Sequence, residues 1–63
     1  MNNKMKYYRI SQNMTQKECA SKLGIAISTY SMIENNNRRI SLEFADKISR
    51  LFGKSIEEIF FAN

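Results

Sequence analysis

Two capping boxes in one short chain, Thr15-Gln16-Lys17-Glu18 and Ser55-Ile56-Glu57-Glu58, restrict this sequence to a string of helices. In each, the hydroxyl side chain can accept from the N3 backbone N–H, while the glutamate reaches back to the N–H of the hydroxyl residue. Two donors that a helix start leaves orphaned are thereby satisfied. Ser41 precedes a third periodic run, Leu42, Ala45, Ile48, Ser49 and Phe52, and reads as another N-cap. The two glycines, Gly24 and Gly53, each follow an apolar-periodic segment, where a left-handed residue ends a helix. Proline is absent, and no alternating run bounded by turn residues suggests a strand hairpin.

These signals predict an all-α chain of five short helices, about Lys4 to Gln12, Gln16 to Leu23, Ile27 to Asn35, Leu42 to Phe52 and Ile56 to Phe61, with boundaries good to about 2–4 residues. Periodicity turns Met5, Tyr8 and Ile10 inward on the first helix. It turns Cys19, Ala20 and Leu23 inward on the second, and Tyr30, Ile33 and Glu34 on the third. Cys19 on such a face is expected to pack as a small hydrophobe.

The 63 residues make one domain, residues 1–63, with one core. A chain of this size buries only about 60% of its unfolded surface and is marginal alone. One cysteine cannot close an intrachain disulfide, and with no histidine a zinc site is not expected. No cofactor is expected. Support from a partner subunit is the remaining route. Met1 to Arg9 is polar and charged rather than an apolar leader, and no run approaches a membrane span, so the expected compartment is the cytoplasm.

The net charge of +4 is unevenly placed. Residues 1–40 carry seven bases (Lys4, Lys6, Arg9, Lys17, Lys22, Arg38, Arg39) against Glu18 and Glu34, which is +5. Residues 41–63 carry Lys47, Arg50 and Lys54 against Glu43, Asp46, Glu57 and Glu58, which is −1. A basic front suits a polyanion. With no histidine and with carboxylates scattered over polar helix faces, an enzyme is not expected.

Two helices of about two turns joined at Gly24, over about residues 16–35, have helix-turn-helix spacing. Gly24 supplies the positive φ of the turn. Ala20 and Ser31 are small enough for a close, steep crossing, and Ile25 and Ile33 fill the wedge between the helices. The stretch Met14-Thr-Gln-Lys-Glu-Cys-Ala-Ser-Lys-Leu-Gly-Ile-Ala-Ile-Ser-Thr-Tyr-Ser-Met-Ile-Glu34 resembles the Xre/Cro/C1 family of helix-turn-helix regulators. The similarity continues through Ser41-Leu-Glu43 and Leu51-Phe-Gly-Lys-Ser-Ile-Glu-Glu-Ile-Phe60.

That resemblance implies a compact five-helix, lambda-repressor-like DNA-binding domain whose third helix enters the major groove. It matches Ile27, Ser28 and Met32 to base contacts, with Ala26 and Thr29 at the margin. Gln16 matches the residue that anchors phosphates at a helix N-terminus. Lys17 and the loop Asn35, Asn36, Asn37, Arg38 and Arg39 join it as expected phosphate contacts, and the Tyr30 hydroxyl is a further candidate. Glu34 matches a glutamate that pairs with an arginine at the position of Arg9. The chain departs from the family pattern in carrying Asn36 and Ile40 where glycine and proline are common. Asparagine is the next-best residue for a left-handed turn. None of the recognition positions holds Arg, Lys, Gln or Asn, the bidentate base readers. The expected readout is therefore apolar contact with thymine methyls by Ile27 and Met32, with much of the rest from DNA shape.

Phe60 and Phe61 are adjacent, so one helical face cannot bury both, and Phe44 lands where the family usually has a surface residue. These three are the expected homodimer interface, in a dimerisation region of about residues 42–63. The resulting expectation is a transcriptional regulator of repressor or controller type, binding an inverted-repeat double-stranded operator without a small-molecule effector. The alternative keeps the fold as a protein-interaction module or antitoxin without strong DNA specificity of its own.

Overall fold

In a computed structural model that describes residues 3–61, the helices are α1 (Met5–Ser11), α2 (Gln16–Leu23), α3 (Ile27–Glu34), α4 (Leu42–Phe52) and α5 (Ile56–Phe60). No strand occurs among the described residues. The ends of the expected domain, residues 1 and 2 and residues 62 and 63, lie outside them.

The helix starts follow from side-chain chemistry. Thr15 Oγ1 accepts from the Glu18 N–H at 3.0 Å, and Glu18 Oε1 accepts from the Thr15 N–H at 2.9 Å. Ser55 and Glu58 repeat the exchange at 3.0 Å in both directions. Ser41 Oγ accepts from the Phe44 N–H at 3.1 Å. Gly24 and Gly53 close α2 and α4 with φ of 71° and 67°, the left-handed conformation that glycine adopts without a Cβ penalty. Among the described residues, Asn13 and Asn36 are the two others at positive φ, 58° and 62°. The turn after α3 is thus made with asparagine instead of glycine.

α2 packs closely on α3, α4 packs on α2, and α5 packs on α4, giving a body of 25 × 24 × 18 Å. The core is one cluster in which Met5, Tyr30, Ile48, Ile59 and Cys19 are fully enclosed. One residue expected inward, Ile10, and one of the periodic run after Ser41, Leu42, point outward instead. Ile10 is exposed because α1 is under two full turns long and its inner stripe is already occupied by Met5 and Tyr8. Leu42 is exposed at the first position of α4, one turn before Ala45 and Ile48 enter the core.

Side-chain amides at the two ends of α1 brace other helices. Gln12 Nε2 donates to the Phe52 carbonyl at 2.8 Å, where α4 ends. Asn3 Nδ2 donates to the Ile33 carbonyl at 3.1 Å, where α3 ends. Both satisfy carbonyls that a helix C-terminus leaves orphaned.

Candidate nucleic-acid interface

α3 owes its position to a polar knot beneath its C-terminus. Glu34 is buried, its side chain 2% exposed, at the end of the helix where the macrodipole disfavours an anion. Arg9 compensates from α1. Its Nε lies 2.9 Å from Glu34 Oε2 and its Nη2 lies 3.2 Å from Oε1, a two-pronged pairing. Its Nη1 donates to the Met14 carbonyl at 3.1 Å, so one guanidinium fixes α1, the α1–α2 turn and α3 together. Gln16 Nε2 adds a third bond to Glu34 Oε1 at 3.1 Å. Burial pushes the Glu34 carboxyl upward, but the Arg9 guanidinium and the Gln16 amide outweigh it and hold the group below its usual value.

Sequence reasoning matched Gln16 to a phosphate anchor. Here the amide donates to Glu34, and the side chain is half-buried at the start of α2. Tyr30 corrects an expectation outright. Its side chain is 0% exposed and its hydroxyl is enclosed beside the Glu34 carboxylate and the Cys19 thiol, so it cannot reach a phosphate. The ring sits between α2 and the polar knot because α3 turns position 30 onto the same face as Ile33 and Glu34. Burial pushes its hydroxyl titration up. Cys19, on the facing side of α2, is likewise enclosed, and burial raises its thiol, which keeps it protonated and unreactive.

The opposite side of α3 faces solvent. Ile27, Ser28 and Met32 are exposed along it, and Thr29 is half-buried. α3 starts without a side-chain cap at Ala26, which leaves its first amides open for an external acceptor. Asn35, Asn36, Asn37, Arg38 and Arg39 all lie exposed in the segment between α3 and α4. Lys17 is exposed on the first turn of α2. Of the α3 positions, Thr29 shares a groove with Arg38 and Arg39. Among the described residues, no three His, Cys, Asp or Glu side chains gather where a metal would bind.

Asn3 was missed by sequence reasoning. An asparagine two residues before a helix is a recognisable capping signal, and Asn3 Oδ1 does accept from the Met5 N–H at 3.0 Å. Its contact with α3, some thirty positions away, leaves no trace in a local pattern.

The expected interface aromatics divide. Phe60 is 7% exposed and belongs to the domain's own core, while Phe61 is 65% exposed. Phe44 is half-buried against the core instead of free at the surface. Phe60 and Ala45, with Ile40, Leu42 and Ile56, line an apolar groove beside Phe61.

An α3 packed on α2 across the Gly24 turn, open on its other side and followed by a cationic loop, defines a helix-turn-helix domain. The chain belongs to the helix-turn-helix family of the Xre/Cro/C1 type, which matches residues 5–59. It is 47% identical over 60 residues to an uncharacterised helix-turn-helix-type transcriptional regulator of Methanocaldococcus jannaschii, covering 95% of this chain and 91% of that one. Two regulators of the same description from Archaeoglobus fulgidus are 38% and 35% identical over 95% of this chain, and 84% and 86% of theirs. No helix among the described residues is long and apolar enough to cross a membrane.

Proposed function

We propose that this protein is a sequence-specific, double-stranded DNA-binding transcriptional regulator that acts in the cytoplasm as a homodimer. The observation that carries the reading is the clamped α3: Arg9, Gln16 and Glu34 fix its inner side while Ile27, Ser28, Thr29 and Met32 line its open side. In this reading α3 lies in the major groove. Ile27 and Met32 touch thymine methyls, and Ser28 and Thr29 offer hydroxyls to either donors or acceptors. Gln16, Lys17, Asn35, Asn36, Asn37, Arg38 and Arg39 hold the phosphates on either side and set the register. The absence of bidentate readers on α3 makes direct readout A·T-leaning and leaves DNA shape a large share.

The dimer forms through α4 and α5. Phe61 of one copy enters the groove between Leu42, Ile56 and Phe60 of the other, and the reverse contact follows from two-fold symmetry. Support comes from the exposed Leu42 and Phe61 on the less basic half of the chain. Two α3 helices would then meet half-sites about 34 Å apart.

Selection of bound duplexes from a random pool tests this. The expected product is an inverted repeat with A·T pairs opposite Ile27 and Met32. A G·C-rich core in both half-sites overturns the readout, and a monomer by sedimentation at micromolar concentration overturns the dimer. The uncharged side chains of α3 favour one rival, a protein-interaction module. Duplex binding whose logarithm falls by about 0.9 per neutralised phosphate against log salt rejects that rival.

A further inference from the structure

We infer that Asn3 is a positioning residue for the Asn35–Arg39 loop, setting where Arg38 and Arg39 meet the DNA backbone. The inference rests on the reading of that loop as a phosphate contact.

α3 ends without help from its own sequence. It has no basic residue in its last turn, its last residue is the anionic Glu34, and no glycine follows. The chain turns instead at Asn36, with φ of 62°, closed by backbone bonds from the Asn36 N–H to Ile33 O at 3.1 Å and from the Asn37 N–H to Met32 O at 2.8 Å. Asparagine adopts this conformation more readily than other residues with a Cβ, as Asn13 does too, and at Asn36 it has outside support as well. Asn3 supplies that support. Its Nδ2 lies 2.8 Å from Asn36 Oδ1, 3.1 Å from Ile33 O and 3.4 Å from Glu34 O. One amide group thus grips the helix end and the left-handed residue together.

Beyond the turn the loop is next held at Ile40, which packs partly against the core ahead of the α4 cap. Among the described residues, no backbone hydrogen bond joins Arg38, Arg39 or Ile40 to the rest of the domain. Open grooves flank it on both sides, one running to Asn3 and Phe60 and the other to Thr29 and Phe44. The course of Arg38 and Arg39 is therefore set between two anchors, the Asn36 turn on one side and Ile40 on the other. The segment that carries Asn3 is itself anchored, because the next residue's N–H, that of Lys4, donates to the Ile59 carbonyl of α5 at 2.7 Å. The brace thus runs from α5 to the end of α3.

Asn3→Ser separates the long-range role from the local one, since serine keeps an acceptor for the Met5 N–H and removes the amide. Hydrogen exchange at the Asn36 and Asn37 amides, read in the full chain, should accelerate while the amides of α2 and α4 keep their protection. Binding to the duplex enriched by selection should weaken about fivefold, the order of one disturbed phosphate contact. The salt slope should become shallower by about 0.9 to 1.8. Preference between that duplex and one altered in its A·T core should not change, because the base-facing turns of α3 are untouched.

An Arg38→Ala/Arg39→Ala variant is measured alongside. If it loses affinity and salt slope while Asn3→Ser keeps both, the inference about Asn3 fails and the loop reading stands. If the double variant binds as the parent does, the loop reading fails and the inference falls with it. Acceleration of all amides together with a fall in melting temperature equal to that of Asn3→Ala would make Asn3 merely structural, and that result also overturns the proposal.

Discussion

In the half built on α2 and α3, a buried carboxylate and a guanidinium meet at the helix junction. In the half built on α4 and α5, aliphatic and aromatic side chains join the helices, and the one ion pair there among the described residues, Arg50 with Asp46 at 2.9 Å, stands out in solvent. The difference follows from what each half must specify. Apolar burial is non-directional and rewards area, so Ile48, Phe52, Ile59 and Phe60 can hold α4 and α5 together without fixing a bearing to a degree. Hydrogen bonds fix direction. The three donors on Glu34 reach it from α1 and α2, so they fix the bearing of α3 as well as its distance.

Substitutions in the two halves should therefore differ in kind as well as size. Ile48→Ala removes a fully enclosed side chain and should cost about 4 kcal/mol in a thermal or denaturant melt, with the pH dependence of stability unaltered. Arg9→Ala should cost about 3 kcal/mol, since it leaves a buried carboxylate with only Gln16 for company. It should also reverse the Glu34 part of the acid limb of the stability curve, while Glu18 and Glu58, held below their usual values by their capping partners, keep theirs. In the parent, the Glu34 carboxyl titrates below its unfolded value, so its contribution is complete above that value, about 4.5, and fades as pH falls through the lower folded one. Without Arg9, burial dominates and the folded value lies above the unfolded one. Stability then fades as pH rises through that upper value and is regained in acid. An unchanged acid limb in Arg9→Ala would erase the contrast between the halves.

Tyr30→Phe sharpens the comparison at the edge of the polar knot. It deletes a buried hydroxyl that faces the Glu34 carboxylate and the Cys19 thiol without a full hydrogen bond to either and should move stability by less than about 1 kcal/mol, with duplex affinity unchanged. Lower affinity with an unaltered melt would return Tyr30 to the interface. The smallest effect belongs to Arg50→Ala. Its partner and itself are both largely exposed, and the melt should move by less than about 0.5 kcal/mol.

Local chemistry was legible in the chain wherever one residue acts on its own neighbours. Thr15, Ser41 and Ser55 announced helix starts because a hydroxyl finds the N3 amide a fixed distance away. Gly24 and Gly53 announced helix ends because a missing Cβ is a property of the residue itself. Membership of the helix-turn-helix family was readable for the same reason: its signature lies in one register of about twenty positions. Tyr30 and Phe60 were less legible. An aromatic can serve a core or a surface, and only the crossing of the helices shows which. Gln16 shows the same ambiguity between a buried carboxylate and an outside phosphate.

What the sequence by itself determined is the number and kind of the helices, their caps and stops, and the basic front with its near-neutral back. These follow from interactions spanning at most a turn or from composition alone. Tertiary structure alone decided that Phe60 turns in while Phe61 turns out, that Tyr30 is walled off from solvent, and that Asn3 grips the end of α3. Those outcomes depend on contacts between residues far apart in the chain. Packing chooses among them by burying apolar area and satisfying orphaned carbonyls at the same time.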